Sequence, residues 1–350
     1  MVRTLTQRRE AIKVWDHSVM GILHTLGRWH EIPHLKDNDG MLPPNLIVCG
    51  SRNRVWGAID TLSLRDAVLI DEAGGRLVGK KALGRVALAV GIFDREGLPV
   101  PIAIGEHGMG CPSAEILVKE YLFYARSDGY RVGSTFVKSD GVIRVVRDGT
   151  AGGINGAESE APIIGIGDIA IATDNYGSIG AIVQSVFGLL DFVGVPIKGR
   201  VEALAGRLVN LIGLSKDNKH FHTTCSPELV AALCATATRL GIEVKKGPNF
   251  TKDSLYVELA ESIFILLRRK YGMISTEMEQ LVIDTIAGEF TCAGIPVQSA
   301  LVSAIIGAVP GTSFPRTSDE WAAAHGAEER SLVLVANTLA DITVQTNKSA

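Results

Sequence analysis

The chain is poor in the residues that build metal centres and disulfide frameworks. Only five of its 350 residues are cysteines: Cys49, Cys111, Cys225, Cys234 and Cys292. Their number is odd, their spacings are wide and no C-x-x-C pair occurs. A zinc ribbon needs paired ligands and a disulfide framework an even set, so the expectation is reduced, mostly buried thiols in a cytoplasmic protein with no metal. Charge of one sign is also lacking. Lys and Arg number 35 against 38 Asp and Glu, a formal net charge of −3. No basic stripe is present, so neither nucleic acid nor an anionic membrane surface is expected as a partner. There is no long apolar run either. The most apolar stretch, 179–197, is interrupted by Gln184 and Asp191 and reads as a buried segment, not a membrane span. The opening MVRTLTQRREAIKVWDH lacks the apolar core of a secretory leader.

What is present suits a sizeable core, with 46% apolar and 21% charged residues. Residues 6–29 carry Ile12, Trp15, Val19, Leu23 and Leu26 at helical spacing, which predicts an amphipathic extension over residues 1–30. Residues 45–50 read as a buried strand ending in Gly50. The apolar runs 84–93 and 98–105, joined by Asp94-Arg-Glu-Gly97, read as a hairpin. A helix is expected from Ala114 with Ser113 as its cap. Strand patterns recur at 135–138, 142–146, 168–173 and 296–307, and helical ones at 178–193, 227–240, 255–270 and 276–290. Thr317-Ser-Asp-Glu320 is a capping box before a last helix over 328–344. Strands alternating with helices predict an α/β architecture, a mixed and mainly parallel sheet covered by helices.

Four stretches offer chemistry. Gly50-Ser-Arg-Asn-Arg54 follows a strand; a glycine there lets backbone N–H groups approach an anion, and Arg54 adds a charge. The plain alternative is an ordinary strand-to-helix turn. Arg147-Asp-Gly-Thr150-Ala-Gly152-Gly153 reads as a strand-end arginine followed by a tight glycine loop, a place where open α/β sheets bind ligands. Thr276-Glu277-Met278-Glu279 sets two carboxylates in an otherwise apolar helical pattern. A carboxylate can accept both hydrogen bonds of a vicinal diol; the plain alternative is an exposed helix start with acids favouring the dipole. In Thr251-Lys-Asp253-Ser-Leu255-Tyr, Asp253 or Ser254 can equally be a helix cap. Gly105-Glu-His-Gly-Met-Gly110 misses the G-x-G-x-x-G spacing, which excludes a dinucleotide fingerprint and leaves His107 structural.

In this order, across residues 31–345, these pieces resemble the nucleoside phosphorylase-I family, which includes uridine phosphorylases and hexameric purine nucleoside phosphorylases. The carriers are Gly50-x-x-x-Arg54, Gly108-Met-Gly-Cys-Pro-Ser113, Arg147-x-Gly149-Thr150-x-Gly152-Gly153, Gly167-Asp168, Asp253-Ser-Leu-Tyr256 and Glu277-Met-Glu279. The resemblance implies a three-layer sandwich and one catalytic domain over 31–350. It implies a phosphate pocket of Gly50, Arg54, Arg147 and Thr150, with Arg85 reaching into a neighbouring subunit's site. Glu279 would hold the ribose diol beside Glu277, Met278 and Thr150, with His34 donated across a dimer to the 5′-hydroxyl. Asp253, Leu255 and Gly152 would border the base. The implied enzyme is a pentosyltransferase of nucleoside salvage, acting in a homodimer or a trimer of dimers with sites at the subunit interface. It needs no cofactor, inorganic phosphate being the co-substrate.

Two departures bear on the base. After Tyr256 the chain continues Val-Glu-Leu-Ala-Glu261, without the Gln-x-Arg of uridine phosphorylases, and Val302-Ser303 is followed by Ala304, not the purine enzymes' Asp. The Lys252-Asp-Ser-Leu-Tyr256 and Val302-Ser-Ala-Ile-Ile-Gly-Ala308 stretches look most like the divergent trypanosomatid-type uridine phosphorylases, so uridine is the expected substrate. A purine nucleoside phosphorylase, a nucleosidase using water and a non-catalytic nucleoside-binding protein are the rival readings.

Overall fold

Short apolar runs bounded by turn residues become strands in the computed structural model, which describes residues 42–70, 87–132, 134–156, 162–177, 222–252, 261–309 and 314–349. The expected helices at 6–29 and 178–193 lie outside the described residues. Of the described residues, those in Met1–Arg147, Thr285–Ser299 and Val335–Ala350 form one compact unit, and those in Asp148–Asp284 and Ala300–Leu334 form a second.

The first unit contains β1 (Asn45–Cys49), α1 (Arg52–Thr61), β2 (Arg65–Ile70), β3 (Leu88–Arg95), β4 (Leu98–Glu106), α2 (Cys111–Tyr124), the small hairpin β5 (Gly129–Val132) and β6 (Thr135–Lys138), and the first half of β7 (Ile143–Ile154). β1 runs parallel to β4, from Leu46↔Ala103 to Cys49↔Glu106, and parallel to β7, from Asn45↔Arg144 to Val48↔Arg147. Paired on both edges and covered by α1, β1 is buried at every position, which explains its unbroken apolar sequence. The expected hairpin is β3–β4, closing at Arg95↔Leu98. Its turn residues Glu96 and Gly97 have φ of 50° and 78°, the two left-handed positions a type I′ turn requires. α2 starts at Cys111, not at Ala114. Gly110, at φ 85°, is its cap and Pro112 sits in the first turn, where the missing N–H is no loss; Ser113 is therefore already helical.

The second unit contains the rest of β7, then β8 (Ile169–Gly177), β9 (His222–Thr224), α3 (Pro227–Leu240), β10 (Lys245–Thr251), α4 (Glu261–Tyr271), β11 (Ser275–Glu277), the start of α5 (Gln280–Cys292), most of β12 (Val297–Val309) and most of α6 (Ser318–Lys348). β8 pairs in parallel with β10 and antiparallel with β9 and β12. β11 is parallel to β10 and antiparallel to β7. Phe264 and Leu267 of α4 close over Ile154, Tyr176, Phe250 and Met273. The capping box opens the last helix directly: Glu320 N–H donates to Thr317 Oγ1 at 3.2 Å while Glu320 Oε2 accepts Thr317 N–H at 3.1 Å. That helix thus begins ten residues before the expected 328.

The architecture is the expected α/β fold with a mixed sheet, but the antiparallel pairings β2–β3, β3–β4, β7–β11, β8–β9 and β8–β12 keep that sheet from being mainly parallel. Two further local expectations are corrected. The glycine stretch 149–153 is not a tight loop but the continuation of β7. Its glycines serve close packing: a Cβ on Gly153 would lie 2.8 Å from Ile164 Cγ2, and one on Gly152 would lie 3.3 Å from Thr276 Cγ2. The helical pattern at 276–290 begins only at Gln280, because Ser275–Glu277 pair as β11. No helix among the described residues is long and apolar enough to cross a membrane.

Candidate active site

In the first unit, chemistry-bearing residues gather where the parallel strands end. β1 stops at Cys49, and Gly50 and Ser51 turn the chain into α1, whose third residue is Arg54. Ser51 makes no side-chain cap bond, although its backbone oxygen accepts Arg54 N–H at 3.1 Å. β4 ends alongside at Glu106, and His107 N–H donates to Cys49 O at 2.9 Å. A Cβ on Gly50 would sit 3.5 Å from Gly108 O, an ordinary van der Waals contact, so the two turns lie against each other. On the other side of β1, Arg147 pairs with Val48, two residues before Gly50, and is only 4% exposed. Burying a guanidinium is expensive unless anions or acceptors surround it. Arg52 adds a further cation, bound through Nε to Glu106 Oε2 at 2.8 Å.

In the second unit the Glu277-Met-Glu279 turn is held with unusual completeness. Glu277, 3% exposed, ends β11. Its Oε1 accepts Asn249 Nδ2 at 2.9 Å and Thr251 Oγ1 at 2.5 Å. Its Oε2 accepts the backbone N–H groups of Glu279 at 2.7 Å and Gln280 at 2.9 Å. An ionised carboxylate only accepts hydrogen bonds, and here both oxygens are engaged twice. Glu277 thus caps the start of α5 through two backbone N–H groups, but as a buried carboxylate and not as the exposed helix start that is the plain alternative for this stretch. Glu279, also 3% exposed, lies in the bend that Glu277 clamps. Thr150 and Gly152 lie on β7, and Thr276 of β11 is the register partner of Gly152. His34, Arg85, Asp253 and Leu255 lie outside the described residues.

Sequence reasoning missed the polar groups behind this turn. Asn249 Nδ2 also donates to Asn175 Oδ1 at 3.0 Å, and Asn175 Nδ2 donates to Asp284 Oδ2 at 2.6 Å. Thr223 Oγ1 and Gln280 Nε2 reach the same Asp284 carboxylate at 2.8 and 2.7 Å. Asn175 Nδ2 is also 3.3 Å from Cys225 Sγ. Burial pushes the Cys225 thiol well above its ordinary range, and the negative charge of Asp284 adds to this. The one local signal is that Gln280 and Asp284 stand four apart on one helix face; Asn175 and Asn249 fall outside the expected strands. Among the described residues no cluster of three or more His, Cys, Asp or Glu side chains is arranged to hold a metal.

Residues 97–336 match the family model described as the phosphorylase superfamily. No curated protein matches. Among solved structures, the chain is similar to uridine phosphorylase from Vibrio fischeri ES114, with a TM-score of 0.57 at 16% identity, covering 89% of this chain and 98% of that one. The same enzyme complexed with 6-hydroxy-1-naphthoic acid gives 0.55 at 15% identity, with 87% and 93% covered. Purine nucleoside phosphorylase from Toxoplasma gondii in complex with immucillin-H gives 0.55 at 16% identity, with 89% and 96% covered.

Proposed function

For a chain that belongs to the phosphorylase superfamily, we propose phosphate-dependent cleavage of the N-glycosidic bond of a ribonucleoside, uridine in first place, to free base and ribose 1-phosphate. The observation that carries this reading is the register Val48↔Arg147, which sets a buried guanidinium on the strand beside the Gly50 turn. A hydrolase using water has no need of that charge.

In this reading Gly50, Arg54, Arg147 and Thr150 hold phosphate, and Glu279 holds the ribose diol in the bend fixed by Glu277, with Met278 against the sugar. As the C–N bond breaks, its electron pair leaves with the base and positive charge develops on the sugar. A phosphate oxygen then forms the new bond at C1′, and the departing base anion takes up the proton that the phosphate gives up, through water. Arginines that fix the phosphate stabilise this charge separation, a well-aimed donor contributing about 3–4 kcal/mol. No cofactor takes part.

The base is read by segments that include Asp253 and Leu255, with Gly152 at its border. Because neither the Gln-x-Arg nor the late-strand Asp is present, uridine rests on likeness in the 252–256 and 302–308 stretches. The proposal extends to a homodimer, or a trimer of such dimers, in which His34 and Arg85 complete a neighbour's site; activity should then fall on dilution to monomer. The decisive assay follows base release from uridine, thymidine, inosine and guanosine with and without phosphate. Phosphate-dependent release from uridine above the others supports the proposal. Release that ignores phosphate favours a nucleosidase, and binding without turnover favours a storage protein.

A further inference from the structure

Glu277 is one end of a closed ring of buried side chains, and we infer that this ring sets the position of Glu279 for the ribose, making Asn249, Thr251, Asn175 and Asp284 positioning residues for the reaction. The inference rests on the reading of Glu279 as the diol carboxylate.

The ring runs from Glu277 through Asn249 and Asn175 to Asp284, then through the Gln280 side chain and the Gln280 backbone N–H back to Glu277. Asn175, Asn249 and Gln280 are fully buried. The direction of each amide is dictated. Asn249 spends both N–H bonds, on Glu277 and Asn175, and its oxygen accepts Ser275 Oγ at 2.9 Å. Asn175 spends its own on Asp284 and Cys225, and its oxygen accepts Asn249. Turning either amide over would set its oxygen against a carboxylate, so only one orientation satisfies both asparagine amides, while Gln280 Oε1 is buried without a hydrogen-bond partner among the described residues.

The ring ties β8, β9, β10 and β11 to the first turn of α5, and the bend bearing Glu279 hangs from it by the 2.7 Å bond to Glu277 Oε2. A three-residue strand would hold such a bend loosely by itself. Thr251 locks it from one more side, giving its hydroxyl proton to Glu277 and accepting Leu281 N–H at 3.2 Å. Displacing a positioned group by about 1 Å can cost about 100-fold in rate. Because a diol carboxylate meets two hydroxyls, the loss should be felt most on a ribonucleoside and least on one lacking the 2′-hydroxyl.

The test measures phosphate-dependent kcat/KM for uridine and 2′-deoxyuridine in wild type, Thr251→Val, Thr251→Ser and Asn249→Asp, each alone and combined with Glu279→Ala, after thermal unfolding shows each folded. The inference predicts that Thr251→Val lowers the uridine value about tenfold or more and the 2′-deoxyuridine value less than about threefold. Thr251→Ser should restore both. With Glu279→Ala present, Thr251→Val should change neither by more than about twofold, since coupled residues are non-additive. Equal losses on the two substrates, or full additivity with Glu279→Ala, would overturn the positioning role. If Asn249→Asp fails to fold, Thr251→Val and Thr251→Ser still decide. A wild type with no phosphate-dependent turnover of any nucleoside overturns the functional reading and this inference with it, whereas an active wild type with equal losses overturns the inference alone.

Discussion

Glu277 holds Glu279 by the backbone: its Oε2 accepts the Glu279 N–H at 2.7 Å, so one carboxylate of the pair determines where the other leaves the chain. The two should fail differently. Glu279→Ala is expected to lower kcat/KM about 100-fold or more with a small change in unfolding midpoint. Glu277→Ala strands buried donors from Asn249, Thr251 and two backbone amides, at about 1–3 kcal/mol for each group left unsatisfied. It should therefore lower stability and activity together. Thermal unfolding beside steady-state kinetics separates them, and equal stability losses would contradict the division of labour.

Arg147 and Arg54 carry the anion in this account. Arg147→Ala should reduce kcat/KM for phosphate about 100-fold or more, and Arg54→Ala in the same direction, as expected for losing an electrostatic contact made to the reacting group. Titrating phosphate at saturating nucleoside checks this. A wild-type phosphate KM and kcat in Arg147→Ala would remove that residue from the site.

Gly153→Ala tests the packing of β7. The added methyl would meet Ile164 Cγ2 at 2.8 Å and Ile305 Cγ2 at 3.3 Å, between two buried side chains. Overpacking of this kind costs about 1–3 kcal/mol. Denaturant unfolding should show a lower midpoint, while an unchanged one would mean the strand gives way more easily than its neighbours suggest.

Thiol labelling tests the burial of the polar ring. Cys292 is exposed, whereas Cys225 is buried and its thiol is pushed well above its ordinary range by burial and then by Asp284. Because the thiolate is the reactive form, Cys292 should react in the native protein and Cys225 only after unfolding. Mass spectrometry of peptides after a short alkylation pulse reads the order.

These predictions also mark what the sequence made legible. The strand at 45–49, the hairpin closed by Gly97 and the helix 227–240 are local, each an apolar pattern bounded by turn residues, and each stands close to where the pattern puts it. The glycines of 149–153 misled because glycine marks both a turn and a close approach, and only the neighbours Ile164, Ile305 and Thr276 distinguish the two. β11 was hidden because three residues cannot show alternation, so helical spacing was carried back through Glu277. Of the candidate site, Glu279 and Arg147 stand out by residue type and order, and the structure buries both. Asn175, Asn249 and Asp284 were not, since they meet only when strands far apart in sequence come into register.

The central claim is that the sugar leaves bonded to phosphate. The most direct measurement is phosphorus-31 NMR of the products formed from uridine and inorganic phosphate. The account predicts a new ribose 1-phosphate resonance growing in step with free uracil and absent from Arg147→Ala. Free uracil accompanied only by unmodified phosphate and ribose would contradict it.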